Sequence, residues 1–231
     1  MGLLFPGAGG DMVREAAWVA RCVGRGSSAP LGPPDLAALS VELQSREFGR
    51  GAPVFSAGER SAGVWVVRRG RVELSARDRV RRTVVQVLHP GDVDGDLQLL
   101  LGMAVPYTAR AGSDAVLLFL PAHRFEVVLA EHPVLTRRWL GNVAARLAAS
   151  QRRLANLLGR PLTAQLAQVL LDEAVDGVVG LPQATLAAML GVARPSLNRV
   201  LAGWVDKGLV RVGYGWVELL DPTRLARVSG G

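Results

Sequence analysis

Apolar residues recur along the chain in two rhythms, and the changes of rhythm divide it. In residues 11–23 (DMVREAAWVARCV), Met12, Ala16, Val19 and Val23 fall at helical spacing, which predicts a short amphipathic helix. Residues 24–34 are rich in Gly, Ser and Pro and read as a linker or loop. Residues 35–43 (DLAALSVEL) read as a second short helix with Asp35 near its start. From about 45 to 120 the rhythm shortens into β-prone runs at 64–67, 72–74, 83–88, 107–111 and 116–120. Glycine-bearing turns at Gly58, Gly70, Gly91 and Gly95 separate them, and Gly70 sits where a tight hairpin is needed. Short strands at that spacing predict an all-β sandwich or barrel, not alternating βα units.

Helical rhythm returns at His132-Pro133, with proline suited to a first turn, and continues to about Leu158. Leu140, Leu147 and Leu154 are seven apart, and Val143, Ser150 and Leu157 form a second seven-residue series. Together they make an a/d seam, with Arg137, Arg138, Arg146, Arg152 and Arg153 off it. That pattern predicts a helix pairing with a second copy; packing inside a monomer is the competing reading. Gly159-Arg160-Pro161 then breaks the helix.

After Pro161 a helix is expected to about Ala174, with Leu162, Leu166, Val169 and Leu170 on one face. Beyond it lies the strongest local signal, residues 182–204. Leu186, Met189 and Leu190 give a short helix one apolar face, and Gly191 supplies the residue tolerant of positive φ that a tight inter-helix turn requires. Pro195 suits the first turn of a second helix, whose Leu197, Val200, Leu201 and Trp204 face inward. Its other face carries Arg194, Ser196, Asn198 and Arg199, with Gln183 at the start of the first helix. Arginine can bridge guanine O6 and N7, and Ser, Asn and Gln can bond bases or phosphates, so this is a residue set for a major groove. Residues 210–212 and 216–219, joined through Gly213-Tyr214-Gly215, read as a β-hairpin wing. A helix-turn-helix used only for protein packing is the competing reading.

Composition narrows the function classes. The chain has 231 residues, 49% hydrophobic and 20% charged, enough for a sizeable core and unlike a disordered chain. No apolar run approaches the length of a membrane span, and the N-terminus lacks a basic start with a sustained apolar stretch, so a cytoplasmic protein without membrane contact is expected. The lone Cys22 excludes an internal disulfide, an iron–sulfur cluster and a cysteine zinc site. His89, His123 and His132 show no metal-ligand spacing, and haem ligation by Cys22 or a histidine is left open. Asp92, Asp94 and Asp96 have no evident partner and read as a solvated or turn-forming loop. With no nucleophile–base pair or phosphate-cradling loop, an enzyme is not expected. The net charge of +7, almost all from arginine, permits nucleic-acid binding without diagnosing it.

The chain resembles the cyclic-AMP receptor/fumarate–nitrate regulator (Crp/Fnr) family of transcription factors over nearly everything after about residue 45. The carriers are the glycine-punctuated strands, Gly91-Asp92-Val93-Asp94-Gly95-Asp96-Leu97, Pro106-Tyr107-Thr108-Ala109-Arg110-Ala111, the long helix, and the motif from Leu186 to Leu201. The resemblance implies an α+β chain. It would comprise an N-terminal arm (1–34), a cyclic-nucleotide-binding-like β-barrel or double-stranded β-helix (35–131), a dimerisation helix (132–159) and a winged helix-turn-helix (160–231). It further implies a homodimer on a palindromic operator in double-stranded DNA, with RNA polymerase as a further partner. Leu140, Val143, Leu147, Ser150, Leu154 and Leu157 would form the dimer interface.

The same resemblance locates an effector pocket at Gly95, Asp96, Leu97, Tyr107, Thr108, Arg110, Ser150 and Gln151. In the family's cyclic-nucleotide binders a Gly-Glu-Leu segment contacts the ribose and an Arg-Ser pair the cyclic phosphate. Gly95-Asp96-Leu97 matches the first with a shorter acid, but Val105-Pro106 falls where the Arg-Ser pair should lie. Burying a phosphate without that cation is costly, so conventional cyclic AMP is not the expected effector. Arg110 or backbone amides could replace it, which makes a cyclic-nucleotide-responsive regulator the alternative; Arg110 matches a different family position, where its competing role is only to support the barrel. Ser150 and Gln151 match adenine-contacting positions, or else set helix register. Arg194 and Arg199 match base-contacting positions, whereas Pro195 replaces a glutamate that accepts from cytosine, so operator preference should differ there. A ligand-binding or scaffold module without DNA binding is the alternative of another class.

Overall fold

The computed structural model describes residues 8–24, 31–77 and 82–230. Most of the linker read at 24–34 lies outside the described residues, as does the side chain of Leu157. The chain divides into two compact units, one made of residues 1–76 and 86–148, the other of 77–85 and 149–231.

In chain order the first elements are α1 (Ala8–Val23), α2 (Pro33–Glu42), β1 (Gln44–Phe48), β2 (Pro53–Phe55), β3 (Gly63–Arg69), β4 (Val72–Arg77) and β5 (Arg82–Leu88). They continue with β6 (Val93–Asp94), α3 (Asp96–Leu101), β7 (Thr108–Ala111), β8 (Ala115–Pro121), α4 (Ala122–Glu131) and α5 (Pro133–Leu157). The strands form two four-stranded sheets in the orders β1-β8-β3-β6 and β2-β7-β4-β5. Every registered pair is antiparallel.

Strand period decides how the first sheet is buried. Along β3 and β8, Trp65, Val67, Leu117 and Phe119 face the second sheet and join Val72, Leu74, Ala109 and Ala111 in the barrel core. The alternate residues Val64, Val66, Leu118 and Leu120 face the other way and pack with Ala16, Val19, Leu39, Phe125, Leu135 and Trp139 from the helices. A sheet covered on both faces carries no polar alternation, which is why these strands read as continuous apolar runs. Each fully buried Leu or Phe contributes about 1.5–3 kcal/mol, so this double burial fixes the register of both strands.

The second unit contains α6 (Leu162–Glu173), β9 (Val178–Val179), α7 (Gln183–Met189), α8 (Arg194–Asp206), β10 (Val210–Gly213), β11 (Trp216–Leu219) and α9 (Pro222–Gly230). Its three strands form a sheet in the order β10-β11-β9. Leu166, Leu170, Leu186, Leu197, Leu201 and Leu225 are buried. The α+β class, the antiparallel barrel, the long helix and the winged helix-turn-helix stand as expected.

One expectation is corrected. The acidic segment is not a solvated loop: Asp94 ends a buried strand and Asp96 opens α3, both inside the fold, and only Asp92 keeps the turn-forming role, its Oδ2 accepting from His89 N (2.8 Å). Among the described residues no helix is long and apolar enough to cross a membrane.

Candidate functional site

The helix-turn-helix is built by two short apolar faces meeting across a glycine turn. Leu186 and Ala187 on α7 and Leu197, Leu201 and Trp204 on α8 are buried. The turn closes with Val192 N donating to Ala187 O (3.0 Å) while Gly191 adopts φ +64°, where a side chain would be strained. Pro195 sits in the first turn of α8, where its missing N–H costs nothing.

That packing leaves the opposite face of α8 outward. Arg194, Asn198 and Arg199 are exposed and Ser196 is half-buried. Asn198 lies one turn on from Arg194, and Arg199 one turn on from Ser196, so the four residues form one surface. Gln183 and Asn198 share an open groove with Leu201, Ala202, Val205, Asp206 and Val212, an adjacency sequence spacing did not reveal. In the wing, Arg211 is tied to Glu218 through Nε (2.8 Å) and Nη2 (2.6 Å). Tyr214 at the tip is 99% exposed, and Trp216 covers Gly213 so closely that a Cβ there would fall inside the indole.

On α5, Leu140 is 68% exposed and Leu147 and Leu154 are each 59% exposed, an unusual row of bare leucines on one helix stripe. Ser150 and Gln151 are exposed as well. Val143 behaves differently: it is half-buried against the helix-side core of its own chain.

The expected effector residues are scattered in role. Gly95 has φ +87°, and a Cβ there would lie 2.5 Å from Gly63 O, so the position demands glycine. Asp96 is 0% exposed: its Oδ2 accepts from Trp139 Nε1 (2.7 Å) and pairs with Arg146 Nη2, and its Oδ1 accepts from Leu97 N (2.8 Å). Both oxygens of its carboxylate are thus engaged inside the chain. Leu97 is exposed. Arg110 stands between the inward Ala109 and Ala111 of β7, so it projects outward and donates to Gly51 O (3.2 Å). That corrects the reading in which Arg110 replaces the missing cation. Val105 is buried, and Thr108 Oγ1 accepts from Ala57 N (3.1 Å).

Sequence reasoning missed a polar cluster next to Asp96. Tyr107 Oη donates to Asp94 Oδ1 (2.7 Å) and accepts from Gln98 Nε2 (3.2 Å). Burial raises the Asp94 carboxyl to about 6, against the opposing hydrogen bond from Tyr107. Burial, then the Asp94 charge, pushes the Tyr107 hydroxyl upward. The available signal was Gln98, the one polar side chain between Leu97 and Leu101. Among the described residues no group of three or more His, Cys, Asp or Glu side chains could hold a metal ion.

Residues 45–132 match the family model described as a cyclic nucleotide-binding domain, and 164–228 match a Crp-like helix-turn-helix domain. The chain is 54% identical over 209 residues to the HTH-type transcriptional regulator Cmr of Mycobacterium tuberculosis, covering 90% of this chain and 86% of that protein. It is 25% identical over 206 residues to a CRP-like cAMP-activated global transcriptional regulator of the same species, covering 84% and 92%. A CRP-family transcriptional regulator from Thermus thermophilus has a solved structure that superposes with TM-score 0.69 at 27% identity, covering 80% of this chain and 97% of that one.

Proposed function

The chain belongs to the Crp/Fnr family of DNA-binding transcription regulators, and on that premise we propose that it acts as a homodimer that reads a palindromic operator through α8. One observation carries the reading. Arg194 and Arg199 are exposed, have no hydrogen-bond or ion-pair partner among the described residues, and flank Ser196 and Asn198 on the free face of α8. Arginine held in this way is available for bidentate contact with guanine. Gln183 supplies a further polar contact from α7.

The dimer surface is the α5 stripe of Leu140, Leu147 and Leu154, continued by Ser150 and Leu157. A second copy would cover leucines that water now contacts. The working segments are an arm (1–34), a barrel (35–131), the dimer helix (132–159) and the DNA-binding domain (160–231). RNA polymerase is the further partner, and the protein carries out no catalysis of its own. The effector is not conventionally bound cyclic AMP, or there is none, because Val105 stands where the phosphate's cation belongs and Asp96 is already paired.

The test is selection from genomic fragments, followed by titration of the recovered duplex at several salt concentrations. A twofold-symmetric site is expected, with log affinity falling steeply against log salt and Arg194→Ala and Arg199→Ala each weakening binding. No symmetric site, with both variants unchanged, would sink the proposal and favour the scaffold reading.

A second reading has an observation behind it. Residues 45–132 match a cyclic nucleotide-binding domain, and one relative's name states activation by cAMP. Micromolar cyclic AMP or cyclic GMP binding by calorimetry would establish that reading and displace the effector part of the first.

A further inference from the structure

We propose that Asp94, Gln98 and Tyr107 form a proton-binding site inside the barrel, so that the cation taken up next to α3 is H⁺. The inference deepens the reading that the effector is not a cyclic phosphate, yet its test requires neither DNA nor a dimer.

The geometry leaves this cluster one positive charge short. Asp94 and Asp96 bring two buried carboxylates, and the charged groups acting on Asp94 besides Asp96 reduce to Arg146 from α5. Both terminal nitrogens of Arg146 are already committed, Nη2 pairing with Asp96 and Nη1 donating to Val93 O (2.6 Å), and only its Nε is buried without a partner. Tyr107 faces Asp94 from the start of β7 as a neutral donor, and the residue paired with Asp94 on β3 is the uncharged Trp65.

The hydrogen-bond inventory reaches the same point independently. Asp94 Oδ2 and Gln98 Oε1 are both buried without a partner, on side chains joined through the single Tyr107 hydroxyl. Two orphaned acceptors cannot satisfy each other, and a buried unpaired polar atom is a substantial penalty. A proton on Oδ2 converts one acceptor into a donor and neutralises the excess charge in the same event. The upward displacement of Asp94 to about 6 agrees with that arrangement. The proton comes from solvent and returns to it, with no other reactant. While Asp94 is ionised, its uncompensated charge disfavours a further anion near it.

The experiment is a carboxyl ¹³C NMR titration of the full-length chain from pH 3.5 to 8, assigned with Asp94→Asn. The resonance lost in that variant should titrate near pH 6 in the wild type. Tyr107→Phe removes a bond that favours the ionised form and should move the midpoint higher, which serves if Asp94→Asn does not fold. In parallel, the folding constant of the wild type relative to Asp94→Asn should fall about fiftyfold between pH 4 and 6.5, the part of a shift of about two units that this window spans. An Asp94 midpoint at or below about 4, the ordinary aspartate value, overturns the proposal. So does a stability ratio that does not change with pH. Calorimetry with cyclic AMP at pH 5.5 and 7.5 judges the effector reading separately, since a normal Asp94 midpoint without nucleotide binding removes the proton site alone.

Discussion

Replacing Asp96 by alanine removes the acceptor that joins α3 to α5. Trp139 is buried, so its Nε1–H would lose its partner with no route to water, a cost of about 1–3 kcal/mol. Arg146 would also lose a charged partner, but its side chain is 28% exposed and can hydrate in part, so this contribution belongs at the low end of a broken buried pair. The sum is about 4–6 kcal/mol, which for a domain of this size lowers Tm by roughly 8–24 °C. Differential scanning calorimetry of the wild type, Asp96→Ala, Arg146→Met and the double variant closes the cycle. The two single losses should fail to add by more than about 1 kcal/mol, because both remove the same contact. A loss below about 1 kcal/mol for Asp96→Ala, or strict additivity, would refute the claim that this carboxylate is structural.

Leu147→Asp places a charge on the bare stripe of α5 and should yield a monomer by analytical ultracentrifugation, with the far-ultraviolet circular dichroism preserved because the residue is exposed in the single chain. Gly213→Ala drives a Cβ into the Trp216 indole and should cost about 1–3 kcal/mol in urea unfolding followed by tryptophan fluorescence. Leu197→Ala empties a fully buried position beneath α8 and should cost about 2–5 kcal/mol, with DNA affinity falling as the reading helix loosens. Asp94 has a folded value above its unfolded 3.8, so its stability contribution is complete below pH 4 and is lost as pH rises through about 6. The decline amounts to roughly 3 kcal/mol and should vanish in Asp94→Asn, which unfolding at pH 4, 5, 6 and 7 would reveal.

The elements legible in the sequence are those whose neighbours in space follow from periodicity. Leu186, Leu197, Leu201 and Trp204 repeat at helical spacing around Gly191, so both helices, the turn and the outward face of α8 could be read directly. Leu140, Leu147 and Leu154 could be read the same way. The strands β3 and β8 were visible as apolar runs, but not that one sheet faces both the barrel core and the helices. The strand β1 was missed because its residues Gln44–Phe48 are almost all exposed and polar, and its place comes from pairing with β8. The acidic segment was misread for a different reason. The partners of Asp96 lie 43 and 50 residues away on α5, and nothing local distinguishes a carboxylate awaiting Trp139 and Arg146 from one awaiting water. Arg110 was placed beside the effector by resemblance, whereas alternation on β7 between two inward alanines turns it outward.

The central claim is that α8 reads bases through Arg194 and Arg199, and the most direct test is sequence selection from a random duplex library with the wild type and with each arginine-to-alanine variant. The account predicts a twofold-symmetric site for the wild type. Each variant should lose preference at one symmetry-related pair of positions, by about 1–3 kcal/mol per half-site, while the rest of the site is retained. An identical site with undiminished preference at every position in both variants would contradict it.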